Sequence, residues 1–289
     1  MDIRHAMIWL ALSLHAPVWA CVLSGPTHWQ LPDYDPQSVP SQVGTQHWRI
    51  HADGTVQCRG QVVIELLDTQ AYTLVQASRD VALQFELRRQ PQDTAPLGPS
   101  PAVLQRVDLQ AGPLAPSSAL ILPLWSHSPS DQWVPAGTYE RRMRLSLQDD
   151  WGRTLSELPL TLTQTVQPRV SLRWANSGGA QVSLDFGTLS RGQLRTAELS
   201  VQRNTLYSLH INSQNAGVLR NARYPEDTVP YRLEIDGRPV NPHHSTMVPE
   251  QARVSGSTAW HSLRVEILDV QRVRAGIYQD YLSLTIQAQ

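Results

Sequence analysis

Pro135-Ala136-Gly137-Thr138-Tyr139-Glu140-Arg141-Arg142-Met143-Arg144-Leu145-Ser146-Leu147 carries a period of two. Tyr139, Met143, Leu145 and Leu147 alternate with Glu140, Arg142, Arg144 and Ser146, which predicts a strand with one buried face. The stretch then recurs. Arg274-Ala275-Gly276-Ile277-Tyr278, leading into Leu282-Ser283-Leu284, repeats it at an offset of 139 residues. Two looser matches keep the same order: Ala71-Tyr72-Thr73-Leu74 with Leu206-Tyr207-Ser208-Leu209 at an offset of 135, and Phe85-Glu86-Leu87 with Leu233-Glu234-Ile235 at 148. An ordered internal repeat implies two related domains.

The same alternation runs through Val81 to Leu87, Val170 to Trp174, Tyr231 to Ile235, Leu263 to Ile267 and Leu282 to Ile286. No run at helical spacing exceeds two turns. Turn clusters such as Asn176-Ser177-Gly178-Gly179 and Asp236-Gly237-Arg238-Pro239 separate the strands. The expected fold is all-β, two immunoglobulin-like β-sandwich domains. The boundary is expected at Val166-Gln167-Pro168-Arg169, giving domains 21–166 and 167–289.

Of the 289 residues 41% are hydrophobic and 17% charged, and the 24 basic residues nearly balance the 25 acidic ones. No concentrated positive field points to nucleic acid. Every basic residue is arginine, so chemistry that needs a lysine amine is excluded, including P-loop nucleotide binding, Schiff bases and kinase catalysis. Prolines (21) outnumber glycines (16), which suits short strands joined by many turns.

The first twenty residues read as a secretory signal peptide: Arg4 and His5, an apolar run from Ala6 to Leu14, then small residues ending at Ala20. Export places Cys21 and Cys58, the only cysteines, in an oxidising compartment, where one disulfide is expected. No Cys-x-x-Cys or ligand spacing supports a metal or redox role for them.

Catalytic motifs are missing. Asp185-Phe186-Gly187 spells a kinase triplet but lies in an alternating run, without lysine or catalytic loop. His243-His244 follow Asn241-Pro242 and read as loop residues, and the paired carboxylates Asp149-Asp150 and Glu226-Asp227 fall in apparent turns. Neither an enzyme nor a cofactor is expected.

The second half resembles the spore coat protein U domain of pilins in archaic, Csu-type chaperone-usher pili. The residues that carry the likeness are Leu184-Asp185-Phe186-Gly187 after a first strand, Thr205-Leu206-Tyr207-Ser208-Leu209 with Asn212 to Arg220 following, Tyr231-Arg232-Leu233-Glu234 with Asp236, and Ala275-Gly276-Ile277-Tyr278-Gln279-Asp280 at the head of the last strand. That family usually has threonine where Ile277 stands, and many relatives carry a cysteine near Gln202. The first half resembles the family more weakly, through Tyr72 and Gly137-Thr138-Tyr139.

The resemblance implies a two-domain tip adhesin: an N-terminal adhesive domain and a C-terminal pilin domain one strand short, completed by a donated strand. Its implied partners are a periplasmic chaperone, an outer-membrane usher, an adjacent pilin subunit, and hydrophobic or host surfaces; attachment and biofilm formation are the implied outcome. After Ile286 only Gln287, Ala288 and Gln289 follow, too few for a further strand. Leu282, Leu284, Ile286, Val170 and Leu172 are expected to line the open groove. An N-terminus bonded through Cys21 supplies no donor arm, which is expected of a fibre end. Candidate adhesive residues in proline-rich loops and nearby turns are Tyr34, Pro96, Leu97, Pro113, Leu114, Trp125 and Trp133. Prolines stiffen such loops and lower the ordering entropy of contact.

Two rival readings are a two-domain periplasmic or secreted carbohydrate-binding module, which the nine tryptophans permit, and the periplasmic chaperone itself, whose subunit-anchoring lysine has no counterpart here.

Overall fold

A computed structural model describes residues 21–38, 41–52, 57–67, 71–76, 79–109, 119–175, 179–242 and 258–289. The expected signal peptide, Pro113, Leu114 and His243-His244 lie outside these residues. Every regular element among the described residues is a strand.

The first domain runs β1 (Cys21–Ser24), β2 (His28–Gln30), β3 (Gln42–Ala52), β4 (Cys58–Leu66), β5 (Thr73–Gln76), β6 (Arg79–Gln84), β7 (Glu86–Arg88), β8 (Ala102–Leu109), β9 (Ala119–Ser128), β10 (Gly137–Gln148) and β11 (Thr154–Val166). They form two facing sheets, β1-β3-β9-β7 and β2-β11-β10-β4-β8, with the β5–β6 hairpin attached to β10. Alternate residues of both sheets meet in one core, in which Trp48, Ile50, Ile64, Tyr139, Met143 and Leu145 are fully buried.

The second domain runs β12 (Val170–Trp174), β13 (Leu194–Arg203), β14 (Tyr207–Ser213), β15 (Val218–Asn221), β16 (Thr228–Ile235), β17 (Arg238–Val240), β18 (Thr258–Ile267), β19 (Tyr278–Gln279) and β20 (Leu282–Ala288). One sheet is β12-β13-β18-β16-β15-β19, and the other is only β14-β20. Their core is separate, centred on Leu209, Ile211, Val229, Leu233 and Ile267. Asp236 and Gly237, at φ 51° and 75°, make the tight turn expected between β16 and β17.

Three sequence expectations are corrected. The run from Val81 to Leu87 is two strands in different sheets, β6 paired with β5 and β7 with β9, because the chain crosses the core at buried Phe85. Tyr72 precedes β5 and is no counterpart of Tyr207, which opens β14; the equivalent of β14 beside the repeated strand is β4. Val182 to Phe186 is not a strand. No strand among the described residues pairs with it, whereas β2, the segment after the first strand of the first domain, is ordered by parallel pairing with β11.

Glycine recurs in the repeated Ala-Gly pair for two reasons. Gly137 has a φ of 136°, which favours glycine. A Cβ on Gly276 would lie 2.6 Å from the amide of Asn221, a buried side chain fixed by accepting from Arg223 N and Tyr224 N.

Candidate functional site

The repeated strands β10 and β20 differ in their neighbours, and that difference is the candidate site. In the first domain β10 is flanked on both sides, by β4 and by β11. Its counterpart β20 pairs with β14 alone, and β12 pairs with β13 alone. Among the described residues the remaining edges of β12 and β20 have no partner strand. They lie beside one another with Cα atoms within 8 Å, as β1 and β10 do in the first domain.

Burial follows this difference residue by residue. Met143, Leu145 and Leu147 on β10 are at most 1% exposed. At the repeat offset of 139 they correspond to Leu282, Leu284 and Ile286, all only half-buried. Val170, Leu172 and Trp174 on β12 are half-buried as well, and Leu172, Trp174, Leu282 and Leu284 pack against the core of the second domain. In the first domain the cover comes from Leu158, Leu160 and Leu162 of β11, with Leu160 opposite Met143 and Leu158 opposite Leu145. Full burial of such side chains is worth about 1.5–3 kcal/mol each, so half-exposing six forfeits on the order of 5 kcal/mol. An unpaired, apolar edge of this kind is an aggregation hazard unless another strand covers it.

A carboxylate fixes one end of the groove. Asp280 accepts hydrogen bonds from Ser213 Oγ (2.5 Å), Tyr231 Oη (2.6 Å), Asn215 N (2.9 Å) and Tyr281 N (2.8 Å), tying the start of β20 to the β14–β15 turn. Burial, reinforced by this bond to Asp280, pushes the Tyr231 phenol well above its usual range.

At the other end the domains are joined. Arg169 makes a two-pronged ion pair with Asp35 (2.8 and 3.0 Å), and Gln37 Nε2 donates to the Val170 carbonyl. Buried Asn204 holds the linker by accepting from Arg169 N and donating to the Gln167 carbonyl. The Arg169 hydrogen bond holds the Asp35 carboxyl below the ordinary carboxylate range.

The proposed adhesive residues are scattered. Tyr34 is 1% exposed, and its hydroxyl donates to the Pro129 carbonyl while accepting from Gln132 N. Leu97 is 6% exposed and packed in the core, its N–H on the Leu87 carbonyl. Both are corrected: these side chains fill the sandwich rather than face solvent. Pro96 is exposed. Trp133 is half-buried in the loop between β9 and β10, its indole N–H on Asp131, and Trp125 lies within β9, not in a turn.

Cys21 and Cys58 form the expected disulfide, with Cα atoms 5.7 Å apart. Closing a loop of this length stabilises the fold by about 4 kcal/mol in the loop-entropy estimate. Cys21 also pairs with Ala52 through β1. Nearby, the β10–β11 turn presents Trp151, 80% exposed, at the end of the domain opposite the linker. Asp149 shapes that turn by accepting from Trp151 N and Arg153 N, and the Arg153 guanidinium stacks on the indole at 5.2 Å. The sequence signal for Trp151 is a large apolar residue inside the turn-forming run Asp149-Asp150-Trp151-Gly152. Asp149-Asp150 and Glu226-Asp227 are engaged with Arg153, Arg59 and Arg274. No metal-ligand cluster occurs among the described residues.

No protein-family model matches the chain, and no curated protein is significantly similar to it. Solved structures are similar at low identity. A chain of the CsuC–CsuE chaperone–tip adhesion subunit pre-assembly complex from archaic chaperone-usher Csu pili of Acinetobacter baumannii is 14% identical, with 93% of this chain and 100% of that chain covered and a TM-score of 0.48. CfaE, the adhesive subunit of CFA/I fimbria of enterotoxigenic Escherichia coli, is 10% identical over 92% of this chain and 93% of that one, with a TM-score of 0.45. The CupB6 tip adhesin of Pseudomonas aeruginosa is 8% identical over 93% and 94%, with a TM-score of 0.39. All three of these structures contain adhesins of pili or fimbriae, and the likeness to them is one of all-β fold.

Proposed function

We propose that the protein is the tip adhesin of an archaic chaperone-usher pilus, with residues 21–166 as the adhesive domain and 167–289 as a pilin domain that accepts a strand. The observation that carries this is internal: β10 is covered by β11, whereas β20, its repeat, has no such neighbour among the described strands. The first domain also supplies the geometry of the repair. A strand running antiparallel to β20 and parallel to the chain that follows β12, as β11 runs against β10 and β2, would seal the groove by β-augmentation. Its inward residues would be alternating large apolar side chains, like Leu158, Leu160 and Leu162.

A periplasmic chaperone supplies that strand first, and an adjacent pilin subunit replaces it at the usher. Residues from Cys21 onward are held by β1 and the disulfide, so they do not serve as a donated strand. With cleavage after Ala20, a subunit that accepts but does not donate ends the fibre. The pole carrying Trp151 then points outward and meets hydrophobic or host surfaces, which promotes attachment and biofilm formation.

The test is expression in the periplasm with and without the chaperone encoded for the same pilus. Soluble, folded protein only in the presence of the chaperone supports the reading. A monodisperse, thermostable lone chain overturns it and leaves an exported binding module.

A further inference from the structure

We propose that the first domain carries a second binding site on its flank, a groove for an acidic polysaccharide centred on Trp125. It deepens the adhesin reading by naming a ligand class, yet it does not depend on strand acceptance.

The groove exists because β7 is short. It pairs with β9 only from Trp125 to His127, so the edge of β9 from Ala119 to Leu124 has no described partner on that side. The cleft beside this edge has a volume of about 550 Å³. It is lined along the β9 edge by Ile121 to Trp125, whose outward residues are Ile121, Pro123 and Trp125, and its far wall is the Gln90–Gln92 turn with Leu104 and Gln105 of β8. Ile121 is 55% exposed and Trp125 half-buried, whereas the alternate residues Leu122 and Leu124 point into the core.

Two features select the occupant. Pro123 has no N–H to offer an added strand, so this edge is blunted against the β-augmentation that the second domain invites. An apolar floor with an indole, rimmed by amide and guanidinium donors, instead suits a sugar: ring C–H groups lie on the aromatic face while hydroxyls meet the rim. The charge favours an acidic one. Arg49 lies opposite Ile121 on β3, Arg88 opposite Trp125 on β7, and Arg89 lines the wall. Of the nearby acids, Glu86 is paired with Arg88 and Asp93 accepts from Gln90 N, so among the described residues neither Arg49 nor Arg89 has an acidic partner; Arg89 is held in place by donating to the Leu104 and Val103 carbonyls and contributes its charge, while Arg49 is exposed. His47 and His51 share the outer face of β3, and His127 sits against Glu86.

The experiment measures binding of the full chain, held by its chaperone or a donor peptide where needed, to immobilised polygalacturonate, chondroitin sulfate and neutral dextran. Binding to either polyanion, with at most weak binding to dextran, supports the proposal; the two polyanions tell carboxylate from sulfate recognition. Trp125→Ala should weaken it by about tenfold. Arg49→Gln, an exposed change that leaves the core untouched, should weaken it by about threefold, and about 0.3 M salt should weaken the wild type similarly. Absence of polyanion binding, equal binding to dextran, or wild-type binding by both variants overturns it. Because the assay works on the chain alone if it proves soluble without a donor, failure here is distinct from failure of the strand-accepting reading.

Discussion

The Tyr139 hydroxyl donates to the Pro135 carbonyl at 2.8 Å, four residues upstream, and 139 residues later Tyr278 repeats the bond to the Arg274 carbonyl at 2.7 Å. This is the tyrosine corner of immunoglobulin-like sandwiches, set where the chain enters β10 or the β19–β20 segment. Tyr139 is fully buried, so Tyr139→Phe leaves a carbonyl unpaired and should destabilise the first domain by about 1–2 kcal/mol. Tyr278, half-exposed, should lose less. Denaturant unfolding of the two single variants measures this; equal losses would contradict the burial argument.

Asp280 gathers four donors at the head of β20, so removing its carboxylate strands several at once. Asp280→Ala should cost about 2–4 kcal/mol and lower the yield of chaperone-bound protein. Asp280→Asn, which still accepts, should lose less. A thermal melt of both variants in complex with the donor decides it, and an unchanged alanine variant would remove Asp280 from the groove's support.

The groove makes a residue-level prediction. Leu284→Asp or Leu172→Asp puts a charge where a donated side chain would press, which is unfavourable without a partner. A peptide with apolar residues at every second position should raise the melting temperature of the wild-type chain and fail to do so for these variants. Ser283→Asp, on the outer face of the same strand, should behave as wild type. Stabilisation of all three alike would mean that the peptide binds elsewhere.

Much of this was legible because period two reports which face of a strand is wet, and the repeat at offset 139 aligned β10 with β20 before any coordinates. The disulfide was legible from two cysteines behind an expected signal peptide. Loop exposure was not. Tyr34 and Leu97 sit among prolines, yet each finds a backbone partner that draws it inward, and such long-range partners leave no local pattern. The Val182–Phe186 run alternates as a strand should, but a strand needs a neighbour, and pairing is a tertiary fact.

Among the described residues Trp151 is the most exposed large apolar side chain, and the Asp149 bonds hold its turn in place before contact, so little ordering entropy is lost on binding. Trp151→Ser should reduce attachment of piliated cells to polystyrene several-fold while leaving fibre assembly intact. Quantitative adhesion, with surface fibres counted by electron microscopy, separates the two. Full adhesion by fibres of this variant would exclude the turn from the contact.

The joint between the domains should respond to acid. Asp35 has its carboxyl held below the ordinary range by the Arg169 hydrogen bond, so its ionised form is favoured in the folded protein. A depressed carboxyl contributes stability that is complete above its unfolded value of about 3.9 and is lost as pH falls through the lower folded value. Arg169 stays charged throughout, its own guanidinium pushed up by the same bond. The joint should therefore be constant from neutrality to about pH 5 and loosen below about pH 4. Both groups are partly exposed, so added salt should weaken the pair as well. Fluorescence energy transfer between labels on the two domains reads this directly: the signal should fall in acid for the wild type. For Asp35→Asn it should already be lower at pH 7 and vary little between pH 7 and 3, and an Asp35→Asn joint that tightens or titrates like the wild type would show that this ion pair does not set the joint.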